Sequence, residues 1–213
     1  MIYYIIPARK GSKGLPGKNR KLLPFALDSI PEENRSSTIV STDDELIVHS
    51  LKNSGVKIHH RSEAVSNDTA STKDLLLEIA EYFNMKPHDE IVMMYLTYPE
   101  RTHDDVEKIY KFFEENNGVS LLCREEPTIH PYLSYYALEG HKGKKLIDHD
   151  LYRRQDYPKC FMSNHFLAII RVEYLHLVDR NLYHTQTLFY DLGKHVVDVD
   201  TEKDLEKFME GRK

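Results

Sequence analysis

The sequence has little cysteine: two residues, Cys123 and Cys160, lie far apart and outside any CxxC or metal-ligand spacing. A disulfide framework is therefore not indicated, and two reduced thiols in a cytosolic protein are the expectation. Positive charge is not in excess, with a formal net charge of -5 and a pI near 6.2. That excludes a whole-surface field for nucleic acid. No window approaches the roughly 20 apolar residues of a membrane span. No charged leader with a long apolar stretch is seen either, because Met1 to Ile6 runs directly into Pro7 and a basic loop. A cytoplasmic protein is expected, with neither nucleic acid nor membrane as a partner. The twelve histidines contain no HExxH or other ligand spacing, so zinc is not indicated, and His59-His60 reads as the end of a strand. Internal repeats and low-complexity tracts are also missing.

What is present is an ordinary globular composition, 40% hydrophobic and 30% charged over 213 residues, enough for one sizeable core. Short apolar or β-branched runs alternate with amphipathic stretches. Ile2 to Ile6 is continuous, as in a strand buried on both faces. Similar runs occur at Thr38 to Ser41, Val56 to His59, Ile91 to Leu96, Val119 to Cys123, Phe166 to Ile170 and Val196 to Val199. Between them, Asp44 to Lys52, Ser71 to Phe83 and Asp104 to Glu115 carry helical spacing, and Gly118 supplies a stop after the last. Such alternation predicts an α/β domain on a mainly parallel sheet. One stretch breaks it. Thr128 to Lys159 is rich in Tyr, His, Lys and Gly, with Gly140 to Gly143 as a hairpin turn. It reads as an extension whose apolar surface is covered by the main sheet or by a partner subunit.

The strongest signal is the loop after the first strand, Pro7 to Lys21. It holds three glycines, two prolines and six cationic side chains, with no acid among them. Glycines let backbone N–H groups approach phosphate oxygens, and Arg and Lys neutralise their charge. In an open α/β sheet ligands bind beyond the carboxyl ends of the strands, where this loop begins. A polyphosphate is the natural guest. The Walker pattern fails, since Ser12 stands at the first glycine and Asn19 at the hydroxyl position. The dinucleotide pattern also fails, because Gly11, Gly14 and Gly17 are evenly spaced.

These residues resemble a known family. Ile6 to Asn19 (IPARKGSKGLPGKN) is similar to the signature loop of the CMP-N-acetylneuraminate synthetases, the acylneuraminate cytidylyltransferases. Ile39 to Asp43 resembles that family's second strand. Arg61 to Ser71, with Asp68-Thr69-Ala70-Ser71, resembles its R-P-x-x-L-x-x-D-T-A-S segment. Arg154-Gln155 with Pro158 resembles its R-Q-x-x-P, and Asp198 to Thr201 its terminal D-[IV]-D-T. The motifs come in the family's order across nearly the whole chain.

The resemblance implies a three-layer Rossmann-like nucleotidyltransferase domain over residues 1–213, with an extension at about 128–159 serving homodimerisation. It implies transfer of CMP from CTP to an acid sugar of nonulosonate type, with release of pyrophosphate. By resemblance, Ala8, Arg9, Ser12 and Lys13 hold the nucleotide's phosphate side, Lys18 steadies the α-phosphate, and Asn19 meets the nucleotide or acceptor. Arg61, Ala70, Ser71 and Thr72 lie near cytosine and ribose. Arg9, Lys18 and Asp200 form the catalytic set. Read alone, Asp68 to Ser71 is a helix N-cap, which is compatible with lining a pocket. Asp198 and Asp200, two apart at the end of the expected last strand, point to one face and suit Mg²⁺. Spacing alone favours a polar strand end with Thr201 and Asp204 as a helix cap, and the phosphate loop with the resemblance shifts the reading to the metal pair.

Tyr95, Arg154, Gln155 and Asn164 are the acceptor-side candidates. Here the chain departs from the family: its acceptor-side Gln, Lys and Arg are Tyr95, Leu133 and Met162. Arg153, Lys159 and His165 are the candidates to restore the missing positive charge. Leu22 to Pro31 also stands where the family has a G-x-P-L-I helix. An octulosonate or phosphonate acceptor, or a non-catalytic nucleotide-binding sensor, are the alternative readings.

Overall fold

The computed structural model describes residues 1–12, 14–67 and 69–212. Two residues of the sequence argument, Lys13 and Asp68, lie outside the described residues. The chain runs β1 (Ile2–Pro7), α1 (Lys18–Asp28), β2 (Thr38–Thr42), α2 (Glu45–Ser50), β3 (Lys57–His60), α3 (Glu63–Ser66) and α4 (Thr72–Tyr82). It continues through β4 (Glu90–Met93), α5 (His103–Glu115), β5 (Ser120–Glu125), β6 (Tyr135–Ala137), β7 (Gly143–Lys145), β8 (Met162–Arg171), β9 (Leu188–Asp191) and α6 (Glu202–Glu210).

Seven strands form one sheet in the order β3-β2-β1-β4-β8-β5-β9. Strand β8 runs antiparallel to both its neighbours, and every other pairing is parallel. Alternation along each strand divides the apolar residues between two cores. Ile6, Val40 and Val92 face Leu22 of α1, Ile47 of α2 and Ile109 and Phe113 of α5. Ile5, Ile39 and Ile91 face Val65 of α3 and Leu75, Leu76 and Ile79 of α4. Helices thus cover both faces, giving the α/β domain expected from the alternation and the three layers implied by the resemblance.

Two elements depart from the sequence reading. Val196 to Val199 is not a strand; the seventh strand is β9, Leu188–Asp191, parallel to β5. Val196 and Val199 are buried, which is why the run looked like a strand. Their backbone groups are satisfied outside any ladder. Val199 N donates to Thr97 O at 2.8 Å, and Val197 N donates to Glu100 Oε1 at 3.0 Å. The second departure is α1, which escapes a periodicity reading because Pro24 sits inside it. It buries Leu22, Leu23, Ala26 and Leu27 nonetheless.

The extension contains the hairpin predicted around Gly140 to Gly143, with β6 and β7 pairing antiparallel. Both of its strands are exposed on the sheet's outside. Behind them Tyr132 stacks on His149 with ring centroids 4.2 Å apart, and Tyr157 packs at the edge. Tyr135, Tyr136 and Leu138 remain exposed. Cys123 is buried and Cys160 half-buried, both as free thiols, and burial pushes the Cys123 thiol up to about 12.

Candidate active site

The carboxyl end of β1 delivers the chain into the cationic loop. Ala8 N donates to Ser41 O at 2.8 Å, and Thr42 Oγ1 donates to Ala8 O at 2.7 Å, so the loop's first residue is locked to β2. Asn19 Nδ2 donates to Arg9 O at 2.6 Å, and Lys10 N donates to Asp43 Oδ1 at 2.6 Å. Gly17 takes a left-handed conformation, φ 68°, which a side chain would resist, and this turns the chain into α1. Lys18 and Asn19 therefore stand at the first turn of an 11-residue helix with no acid in that turn. The positive end of the helix and the cations act together. Arg9, Ser12, Gly17, Lys18, Asn19 and Arg20 are among the residues lining a cleft of about 280 Å³.

The loop meets the C-terminal segment. Lys18 Nζ lies 2.5 Å from Asp200 Oδ1. A Cβ on Gly14 would come within 2.6 Å of Asp200 O, so only glycine permits this approach. Asp198 and Asp200 do not share a strand face as expected. They lie on the irregular segment before α6, and each carboxylate has its own partner: Asp198 Oδ2 accepts from Tyr98 OH at 3.2 Å, and Asp200 accepts from Lys18. Burial and the Asp198 charge hold the Tyr98 phenol well above its ordinary range. Thr201 and Asp204 form the helix cap read from the sequence, with a reciprocal capping box opening α6.

The segment from Arg61 to Thr72 lines the next stretch of the sheet's carboxyl edge. Arg61 N donates to Thr42 O at 3.2 Å, and its guanidinium donates to Val65 O. Burial lowers the Arg61 pKa against the opposing pull of Asp43. Arg9 reaches the same segment, with NH1 donating to Ser66 O at 3.2 Å. Asn67 Oδ1 gathers the N–H groups of Thr69 and Ala70, both at 2.9 Å. Ser71 is the N-cap of α4 with Asp74 completing the box, which is the cap reading of that motif. Arg9, Arg61 and the start of α4 are thereby joined to one edge with the loop.

The acceptor-side candidates are not brought together. Tyr95 is half-buried beside α4, its hydroxyl donating to Thr72 Oγ1 at 3.1 Å. Asn164 is buried in β8, where Nδ2 donates to Glu125 Oε1 at 2.9 Å and Oδ1 accepts from Phe166 N at 2.7 Å. Arg154 and Gln155 are exposed on a short turn of the extension. Among the described residues, no hydrogen bond or ion pair links either of them to the loop or the aspartates.

Three contributors escaped the sequence reading. Tyr98 reaches Asp198 across 100 positions, a pairing without a local signal. Arg20 forms a two-pronged pair with Asp44, at 2.6 and 3.0 Å, and both line the cleft at the loop. Arg101 is buried, with no carboxylate partner among the described residues. It donates to Tyr95 O at 3.1 Å and to Phe166 O, and burial lowers its pKa to about 10. It ties the segment after β4 to β8.

An open α/β sheet carrying a cationic glycine loop at its carboxyl edge, facing two aspartates, defines a nucleotidyltransferase-type site. The sequence model of the cytidylyltransferase family matches residues 3–109, half of the chain, and the chain belongs to that family. It is similar to the N-acylneuraminate cytidylyltransferase of Streptococcus agalactiae serotype V, 26% identical over 211 residues, covering 94% of this chain and 50% of that protein. The chain thus spans about half the length of the streptococcal relatives it matches. It is 29% identical over 211 residues to the post-translational flagellin modification protein B of Campylobacter coli, covering 93% of this chain and 89% of that one. In fold it is similar to a CMP:2-keto-3-deoxy-manno-octonic acid synthetase complexed with CTP. That match has a TM-score of 0.66 at 16% identity and covers all of this chain and 99% of the other.

Proposed function

We propose that this protein transfers CMP from CTP to a small acid sugar of nonulosonate type and releases pyrophosphate. The observation that carries the reading is the contact of the cationic glycine loop with the Asp198–Asp200 segment, through Lys18 and Gly14. Phosphoryl-type transfer asks the protein chiefly for positioning and charge neutralisation. Arg9, Ser12 and the α1 N-terminus would hold the triphosphate. Lys18 would exchange part of its attraction to Asp200 for the α-phosphate as charge develops there. Arg61, Ala70, Ser71 and Thr72 would line the cytidine side.

The donor set fits magnesium. Asp200 Oδ2 and Asp198 Oδ1 accept no hydrogen bond among the described residues, and both carboxylates are exposed. Among those residues no group of three or more His, Cys, Asp or Glu could hold a metal. Two carboxylates with phosphate oxygens and waters completing the shell are the usual protein share of a Mg²⁺ site. Bound there, the ion would neutralise phosphate charge. Asp198 and Asp200 would hold it, while Tyr98 fixes the Asp198 carboxylate from behind. The exposed aromatic face of the extension supports a homodimer, and a cytoplasmic setting suits the free thiols.

The test is pyrophosphate release with each of four nucleoside triphosphates across a panel of 2-keto acid sugars and phosphonates. Release confined to CTP with an acid sugar is expected. Release with a phosphonate instead would change the acceptor class. Tight CTP binding without release would mark a nucleotide sensor.

A further inference from the structure

At the carboxyl edge of the sheet, Tyr95 and His165 lie face to face, ring centroids 4.9 Å apart and planes 22° from parallel. Tyr95 is held from both ends. Its hydroxyl donates to Thr72 Oγ1 at 3.1 Å, and its carbonyl accepts from the buried Arg101 at 3.1 Å. At the register shift in the β5–β8 pairing, Asn164 and Phe166 are buried and His165 between them is exposed. The imidazole is therefore braced by an aromatic ring, yet open to solvent. Among the described residues, neither of its ring nitrogens makes a hydrogen bond or ion pair.

Its position relative to the chemistry is set by Tyr98. That hydroxyl donates to Asp198 Oδ2 and also faces the His165 backbone. The His165 backbone thus lies one side chain from Asp198, which is two residues before the Asp200 that meets Lys18. The two other cations named as replacements are engaged elsewhere. Arg153 is spent on Asp156, at 2.8 and 2.9 Å, and Lys159 pairs with Glu126 at 3.7 Å on the extension. An acid acceptor needs an N–H donor or cation for its carboxylate, and of these three His165 is the one whose side chain makes no hydrogen bond or ion pair among the described residues.

We propose that His165, braced on Tyr95, binds the carboxylate of the acceptor and makes a carboxylic acid the acceptor class of this protein. The inference rests on the reading of function given above. An imidazole N–H reaching a carboxylate oxygen is a charge-assisted hydrogen bond, and stacking keeps the ring from turning away. Because His165 is exposed, its removal leaves the fold intact.

The test uses the full chain loaded with CTP, with N-acetylneuraminate and 3-deoxy-manno-octulosonate as probes, each alongside its methyl ester. Binding is followed by the NMR resonance of the His165 Cε1–H and by calorimetry, and turnover by pyrophosphate release. His165→Ala should weaken binding of the acid about tenfold to a hundredfold. It should leave CTP affinity unchanged and barely alter binding of the ester, and His165→Arg should restore most of the loss. Equal acid binding by the wild type and His165→Ala would overturn the proposal. So would an equal loss for acid and ester, or no binding of either acid to the CTP-loaded wild type. Acid binding that moves the His165 resonance without any pyrophosphate release would keep the carboxylate site and overturn the assignment of cytidylyl transfer.

Discussion

Lys18 Nζ stands 2.5 Å from Asp200 Oδ1 although the two residues are 182 positions apart in the chain. The lysine is largely enclosed and the aspartate largely exposed, with side-chain accessibilities of 14% and 62%. A cation held this way at a helix N-terminus lines the cleft, and on the proposed function a triphosphate would compete with Asp200 for it. If its attraction strengthens as charge grows on the α-phosphate, Lys18 acts on the transition state more than on the bound nucleotide. Lys18→Ala should then lower kcat by about 10²- to 10³-fold, while CTP affinity changes far less. Steady-state kinetics beside calorimetric CTP binding separates the two. Parallel losses in kcat/KM and binding, with kcat kept, would mean uniform binding instead.

Gly14 makes the same junction steric. An added Cβ would meet Asp200 O at 2.6 Å, closer than van der Waals contact allows, and the obstacle is backbone. Gly14→Ala should push the loop and the Asp198–Thr201 segment apart, costing about 1–3 kcal/mol of stability. It should lower turnover as Lys18 loses its register with Asp200. Thermal melts and pyrophosphate release report the two effects. A Gly14→Ala protein with wild-type turnover would uncouple the loop from the aspartates.

The parts legible in the sequence are those whose signal is local. Apolar and β-branched runs announced β1 and β2, and the glycines and cations of residues 7–21 marked the loop that lines the cleft at the sheet's carboxyl edge. Ser71 and Thr201 announced their helix caps. What was not legible depends on contacts distant in the chain. Val196 and Val199 are apolar because they are buried, yet their N–H groups go to Thr97 O and to side chains, so burial mimicked a strand. β9, Leu188–Asp191, is only half-buried to exposed and carried a weaker run than the segment that imitated it. Asn164 kept the residue type of an acceptor ligand, but the bulge in the β5–β8 pairing turns it toward Glu125. Conversely, the sequence offers His165 beside Arg153 and Lys159 as a replacement donor, and only packing distinguishes it from them.

A pH effect on stability is expected at the rim of the cleft. Arg20 and the N–H of Leu46 both bond the Asp44 carboxylate, and the guanidinium holds its pKa below the ordinary aspartate value. A carboxylate with a depressed folded pKa contributes stability above its unfolded pKa of about 3.9 and loses it as pH falls through the lower folded value. Wild type should therefore exceed Asp44→Asn in Tm most at neutral pH, with the gap narrowing below about pH 4. Melts across that range test the sign. A gap that widens on acidification would mean that the pair destabilises the fold.

Asp200→Asn isolates charge from shape. Asparagine keeps a carbonyl oxygen able to accept from Lys18, so the junction with the loop should survive and CTP should still bind. The substitution removes one of the two anionic oxygen donors proposed for magnesium, a hard cation that favours them. Wild-type activity should vanish on chelation and return with added Mg²⁺. Asp200→Asn should be inactive at any Mg²⁺ concentration while melting close to wild type, because the side chain is exposed. Asp198→Asn, whose partner Tyr98 still fixes it, should retain partial activity at a raised Mg²⁺ requirement. Full activity in Asp200→Asn at ordinary Mg²⁺ would remove Asp200 from the metal site and leave it as a clamp on Lys18.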